Sequence, residues 1–197
     1  MKNFKFLLVL MLSLATCSVS FAQLSTKNLM VQEVYNSQVG VKELTGKNDG
    51  KQVEGYLKTV GLSKGYPWCA AFVRWTYNKA DVPTTINAMA LSVDRKNNRV
   101  FYKGTFYSEP QIGDAFTLYY PHLRRIGHTG FYDGRQNTSI YKTVEGNTNS
   151  AGSREGDGVY RKYRSFKATH SINKWISTSS SPSVGKIIQM RQYRLVA

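Results

Sequence analysis

Cys69 and His128 are the residues of this chain whose types and settings suit covalent chemistry. A thiol attacks as its thiolate, and a helix N-terminus favours that anion because its unpaired N–H groups and dipole favour negative charge. Cys69 follows Tyr66-Pro67-Trp68, where Pro67 suits a first helical turn and Trp68 to Ala80 reads as a helix. The same N–H groups suit an oxyanion formed at a carbonyl carbon. A cysteine in such a helix can equally be packing, so residue type alone leaves two roles open.

A thiolate needs a base that also shuttles a proton. The chain has three histidines. His122 follows Pro121 in a loop, and His170 lies in a polar stretch with no evident partner. His128 opens an extended run, Gly127-His128-Thr129-Gly130-Phe131-Tyr132, and its flanking glycines leave room for a substrate or a neighbouring side chain. Strand alternation puts His128, Gly130 and Tyr132 on one face. The run Ile140–Glu145 alternates likewise, with Tyr141, Thr143 and Glu145 on one face and Asn147 continuing it. If the two strands pair with Tyr132 opposite Tyr141, His128 stands opposite Glu145, with Cβ atoms about 5 Å apart. A carboxylate there holds an imidazole; a slip of one residue turns it to the wrong face. Gly146 and Asn149 nearby leave a second reading, in which Glu145 and Asn147 are turn residues.

These residues need elements to hold them. Met30, Val34 and Tyr35 mark a helix over 29–39 that Gly40 can end. Leu44 to Gly50 reads as a polar loop, after which Asp49 can cap a helix with Val53, Tyr56, Leu57 and Val60 on its apolar side, stopped by Gly61. In the Cys69 helix Trp68, Ala71, Phe72 and Trp75 form one apolar stripe and Val73, Tyr77 and Ala80 most of another, so it should be central. Beyond Pro83 the pattern turns extended, with strands expected at Val100–Tyr102, Ala115–Tyr120, His128–Tyr132, Ile140–Glu145 and Val159–Tyr163, and a turn signal at Asp133-Gly134. Helices first and strands later imply an α+β domain with an antiparallel sheet.

Residues 1–22 read as a secretory signal peptide. Lys2 and Lys5 start it, Phe6 to Ala15 is its apolar run, and Ser20-Phe21-Ala22 supplies a small-residue cleavage site. Cys17 faintly suggests a lipidation site, but Thr16 before it fits poorly and Ala22 offers the better processing point. Loss of this segment takes the formal net charge from +15 to +13 and leaves Cys69 as the one cysteine, which excludes an internal disulfide. The expected product is exported to the periplasm, cell envelope or medium, with no later stretch apolar enough to span a bilayer. Its basic balance suits anionic cell-envelope polymers. No nucleic-acid-binding motif is present, so no nucleic-acid partner is expected. Residues 177–197 read as a Ser-rich linker and basic tail, leaving 23–176 for one domain.

Three segments together resemble the CHAP family, the cysteine, histidine-dependent amidohydrolases/peptidases among the papain-like cell-wall hydrolases of the NlpC type. They are Gly65-Tyr66-Pro67-Trp68-Cys69-Ala70-Ala71-Phe72-Val73, Gly127-His128-Thr129-Gly130 and Val144-Glu145-Gly146-Asn147-Thr148-Asn149, and the likeness spans roughly 29–176. The resemblance implies a papain-like α+β fold, with N-terminal helices on an antiparallel sheet and the nucleophile at a helix start. It implies Cys69 as nucleophile, His128 as base, Glu145 as the acid that orients the histidine, and Asn147 as a polar residue near the thiol or oxyanion. Gly113-Asp114 would keep a structural role. Many relatives carry Val where this chain has Thr129. The implied activity is cleavage of peptidoglycan amide bonds, as an N-acetylmuramoyl-L-alanine amidase or an endopeptidase. No cofactor is implied. Some relatives bind calcium before the cysteine, but here only Asn48 and Asp49 are offered, too few oxygens for that ion, and no zinc motif is present. The competing reading is a non-catalytic cell-wall or nucleic-acid binding module on the same fold.

Overall fold

The computed structural model describes residues 26–150 and 156–177. The signal segment, Cys17 and, apart from Ser177, the Ser-rich linker and tail lie outside these described residues. Asn28–Ile176 forms one compact unit of mixed α and β structure.

Three helices come first. α1 covers 26–36 of the described chain, α2 runs Lys51–Lys58 and α3 runs Cys69–Lys79. The buried line of α1 is Val31 and Tyr35, while Met30 and Val34 are only half-buried, because the helix is rotated from the expected stripe. Gly50, not Asp49, occupies the N-cap of α2. Asp49 instead accepts hydrogen bonds from the N–H and hydroxyl of Thr45, closing the loop before the helix. In α3 Cys69, Ala70, Ala71, Phe72, Val73, Thr76 and Tyr77 are all buried, as its two apolar stripes require. Trp68 is its N-cap, so Pro67 precedes the helix rather than opening it. Among the described residues no helix is long and apolar enough to cross a membrane.

Among the described residues seven strands follow in one antiparallel sheet: β1 Arg99–Tyr102, β2 Thr105–Phe106, β3 Ala115–Tyr120, β4 Arg125–Arg135, β5 Ile140–Thr148, β6 Gly158–Ser165 and β7 Ser171–Asn173. Their order is β2-β1-β7-β3-β4-β5-β6. The five expected strands are present, and β4 and β5 extend beyond their expected ends. β2 and β7 had no sequence signal: one is two residues long, and the other is Ser-Ile-Asn. Yet β7 is fully buried and joins β1 to β3, with Thr117 and Ser171 sharing a 2.6 Å hydrogen bond. Its polar side chains satisfy one another, which is what allows them inside.

Asp133-Gly134 does not make the β4–β5 turn. Both residues belong to β4, where the pairing shifts register, and Asn137 shapes the actual turn by accepting from the N–H groups of Ser139 and Ile140. Asp133 accepts from Tyr35, Gln32 and Arg161, so the acid that looked like a turn residue ties α1 to the sheet.

α3 packs on β4 and β5, and α2 packs on α3. Phe131 of β4 is the centre of that contact, with Tyr35, Tyr77 and Phe72 rings at 4.9, 5.3 and 5.9 Å. Such pairs contribute about 0.5–1.5 kcal/mol each beyond the area they bury. Gly146 of β5 lies beneath the helix start, where a Cβ would come within 2.7 Å of the Trp68 ring and 2.8 Å of Phe72. A second cluster, including Phe101, Phe116, Tyr132, Tyr141, Phe166 and Ile172, joins β1, β3, β4, β5 and β7. The first turn of α3 is thereby fixed against the strands that carry the histidine and the acid.

Candidate active site

Cys69 is the first residue of α3 and is 7 % exposed. No side chain caps this helix start and no acid occupies its first turn, so its N–H groups and dipole favour negative charge at the thiol. Ala90 and Ile126 pack with Cys69 in a small apolar cluster. Ala90 begins a 3-10 turn, Ala90–Val93, and its neighbours Met89 and Leu91 are exposed, as is Tyr66 three residues before the thiol.

His128 is fully buried on β4. Its Nε2 lies 2.9 Å from Glu145 Oε2. An ionised carboxylate only accepts, so Nε2 carries the proton in that bond. Nδ1 is buried and has no protein hydrogen-bond partner of ordinary geometry. Cys69 is among the groups that raise the pKa of the ring, and with Nε2 bonded to Glu145 the nitrogen left to face it is Nδ1. Burial pulls the His128 pKa down, but the Cys69 and Glu145 interactions outweigh it and raise the value to about 9. The imidazolium is therefore the resting form at neutral pH.

Glu145 is fully buried and has four contacts. Thr143 Oγ1 donates to Oε1 at 2.6 Å, and Arg164 Nε donates to the same oxygen at 2.8 Å. Arg164 Nη2 donates to Oε2 at 2.5 Å, beside the His128 bond. Burial alone pushes the carboxyl pKa up; Arg164 and then His128 reverse this and hold it at about 2. Bidentate arginine is the strong form of this pairing. Charges thus alternate along the chain of contacts from Arg164 through Glu145 to His128, with the helix start favouring a negative sulfur at the far end.

The register that builds this contact differs from the expected one. Tyr132 pairs with Thr143, not Tyr141, and Phe131 pairs with Val144. The slip is two residues, which preserves the face but places Gly130, not His128, across from Glu145. A Cβ on Gly130 would lie 2.9 Å from Glu145 Cγ and 2.9 Å from both Phe116 Cε1 and the Val144 carbonyl oxygen. The missing side chain is the space through which the carboxylate reaches diagonally to the imidazole. Gly130→Ala is accordingly expected to cost about 1–3 kcal/mol by overpacking. The check is a lower urea midpoint at unchanged slope, and an unaltered midpoint would show that the strands have slack here.

Asn147 is buried at the β5–β6 bulge with φ +55°, a conformation that asparagine tolerates better than most residues. Its Oδ1 accepts from the Trp68 N–H at 2.6 Å, and its Nδ2 donates to the Gly156 carbonyl at 3.2 Å. Both ends of the amide are engaged, the oxygen by the N–H one residue before Cys69. Asn147 is thus a positioning residue for the start of α3, and the resemblance had left that choice between thiol and oxyanion open. Glu43 works from the other side, accepting from Trp68 Nε1 at 2.9 Å and from the Asn48 N–H.

The other sequence candidates are placed as follows. His122 is exposed, and His170 stacks on Tyr119 with its Nε2 3.5 Å from Asp94 Oδ2. Thr129 is buried and donates to the Phe116 carbonyl at 2.6 Å, a bond that valine would lack. Gly113 accepts from the Tyr77 hydroxyl through its carbonyl, and Asp114 is buried with its pKa pushed up to about 7 by that burial. Both are structural. Sequence reasoning missed Arg164 and Glu43. Arg164 was within reach, because β6 alternation puts Tyr160, Lys162 and Arg164 on the face that meets Tyr141, Thr143 and Glu145. The expected strand stopped one residue short of it. Glu43 carries no local signal, since its partner is 25 residues away.

Comparison with protein-family models, with curated proteins and with solved structures returns no match.

Proposed function

We propose that this protein is an exported cysteine hydrolase that cuts amide bonds of bacterial peptidoglycan. It would act as an N-acetylmuramoyl-L-alanine amidase or a peptidoglycan endopeptidase, on a papain-like fold of the CHAP type. The observation that carries the reading is the buried His128, held by Glu145 through Nε2, with Cys69 at a helix start near enough to raise the pKa of the ring. The three motifs that resemble the family supply the substrate class, and residues 1–22 support export.

The chemistry follows from the charges. The Cys69 thiolate attacks the amide carbon and forms a C–S bond, while first-turn N–H groups donate to the oxyanion. As the C–N bond breaks, the His128 imidazolium gives its Nδ1 proton to the departing amine. Neutral His128 then takes a proton from water, whose oxygen adds to the thioester carbon. The acid product leaves, returning a thiolate and an imidazolium. Glu145 keeps its charge throughout, orienting the ring through Nε2, and Arg164 keeps Glu145 ionised. Exposed Tyr66, Met89 and Leu91 offer apolar contacts to the substrate beside the thiol.

Digestion of purified sacculi by wild type and by Cys69→Ala, with mass spectrometry of the released muropeptides, tests the reading. New amine and carboxyl ends with wild type alone are expected, and their position names the bond. Identical digests from the two proteins would sink the mechanism.

A further inference from the structure

A cleft of about 390 Å³ lies between α2 and α3 and is lined by Gly55, Lys58, Thr59, Trp75, Asn78 and Lys79. None of these residues belongs to the thiol site. Cys69 opens α3 and Lys79 closes it, so the far end of the cleft lies about 15 Å along the helix from the nucleophile, at 1.5 Å per residue.

Three observations set its chemistry. First, Trp75 is half-buried: its ring meets Tyr56 edge-on at 5.0 Å, and Lys79 Nζ lies 5.7 Å from the ring centroid. An indole held from behind in this way is a flat apolar platform with a cation at its side. Second, Lys58 and Lys79 are exposed, and the exposed Asn78 in the same lining brings an amide that both donates and accepts. Third, Gly55 stands inside α2, where glycine costs about 1 kcal/mol against alanine. A Cβ there would meet nothing within 4 Å, so the fold does not require the glycine; a side chain would project into the cleft.

We infer that this cleft is a binding site for an acidic saccharide. One sugar ring lies on Trp75, its hydroxyl and acetamido groups meet Asn78, and a carboxylate sits between Lys58 and Lys79. A nucleic-acid strand fits less well, because it calls for several stacking rings and a track of cations, and the cleft offers one ring and two lysines. The inference stands apart from the hydrolase reading, since it needs no chemistry at Cys69. If both hold, the cleft anchors a glycan while the thiol acts on an amide about a helix length away.

The test titrates the full chain with N-acetylmuramic acid, with neutral N-acetylglucosamine and with inorganic polyphosphate, following the Trp75 indole N–H resonance. Trp75→Phe assigns that signal. A saturable shift with the acidic sugar, about tenfold weaker with the neutral one, is expected. Gly55→Gln should abolish the shift while keeping or raising Tm, which separates a filled cleft from a misfolded chain. Lys58→Gln/Lys79→Gln should erase the preference for the acidic sugar. Equal binding of both sugars, or an unchanged shift in Gly55→Gln, would overturn the assignment. So would polyphosphate that shifts the resonance as tightly as the acidic sugar does and fails to shift it in the double lysine variant. Cys69→Ala should bind as wild type does, so an inactive enzyme with an intact cleft, or the reverse, tells the two proposals apart.

Discussion

Glu145→Gln is expected to lower kcat/KM by up to about 10⁴, the loss that follows when the carboxylate behind a catalytic histidine becomes an amide. Two effects combine. The ring loses the acceptor that fixes its Nε2–H and hence its orientation. It also loses the charge that helps raise its pKa, while the burial that lowers the pKa remains. The pH dependence separates this from a general loss of fold. In the wild type His128 keeps its proton until about pH 9, so the rate should fall as pH rises through that value and the acid for the leaving amine disappears. In Glu145→Gln that alkaline limb should move to lower pH. The measurement is kcat/KM against pH on a soluble muropeptide, with a thermal melt as control. A limb that stays in place with a folded variant would mean that Glu145 does not govern the histidine.

Arg164→Met should have the largest effect on stability. It strands a buried carboxylate that two guanidinium nitrogens now hold. Breaking a buried pair on one side costs about 3–5 kcal/mol, and the lower end applies because the Arg164 side chain keeps 17 % exposure. For a chain of this size about 3 kcal/mol lowers Tm by roughly 6–12 °C. The sign with pH is fixed by the shifts. Glu145 is lowered from 4.5 to about 2, so its stabilisation is complete above pH 4.5 and is lost as pH falls through 2. His128 is raised from 6.5 to about 9, so its part is complete below pH 6.5 and is lost as pH rises through 9. Both contribute fully between these limits. Without Arg164 the folded-state carboxyl pKa rises, and acid unfolding should begin at a higher pH than in wild type. Arg164→Lys should recover part of the loss, since it keeps the charge but not the two-pronged geometry. Acid titration followed by circular dichroism reads all three proteins. Coincident acid limbs for wild type and Arg164→Met would remove Arg164 from the network.

The pairing of an engaged Asn147 with a glycine at 146 shows how economically the helix start is held. One residue accepts from the N–H before Cys69, and the next one back lets the Trp68 and Phe72 rings approach. Neither touches the reacting atoms, yet both fix where the thiol stands. Positioning of this kind matters because small displacements of a nucleophile cost large factors in rate.

The division between sequence and tertiary structure follows the range of each interaction. Local pattern was enough for the helix that starts at Cys69, for its burial on most sides, and for the strands that carry His128 and Glu145. Strand parity put those two side chains on one face, and parity survives a slip of two residues. Register itself did not follow, because it depends on where β4 bulges and on a turn built by Asn137 rather than by Asp133-Gly134. Arg164 and Glu43 entered the site through partners 19 and 25 residues away, and β7 became a central strand only because buried polar groups from distant segments satisfy one another. By itself the sequence singled out Cys69, His128 and Glu145 as candidates and put the last two on one face. Only the folded chain decided how the acid reaches the base, through the empty place at Gly130, and what keeps it charged there.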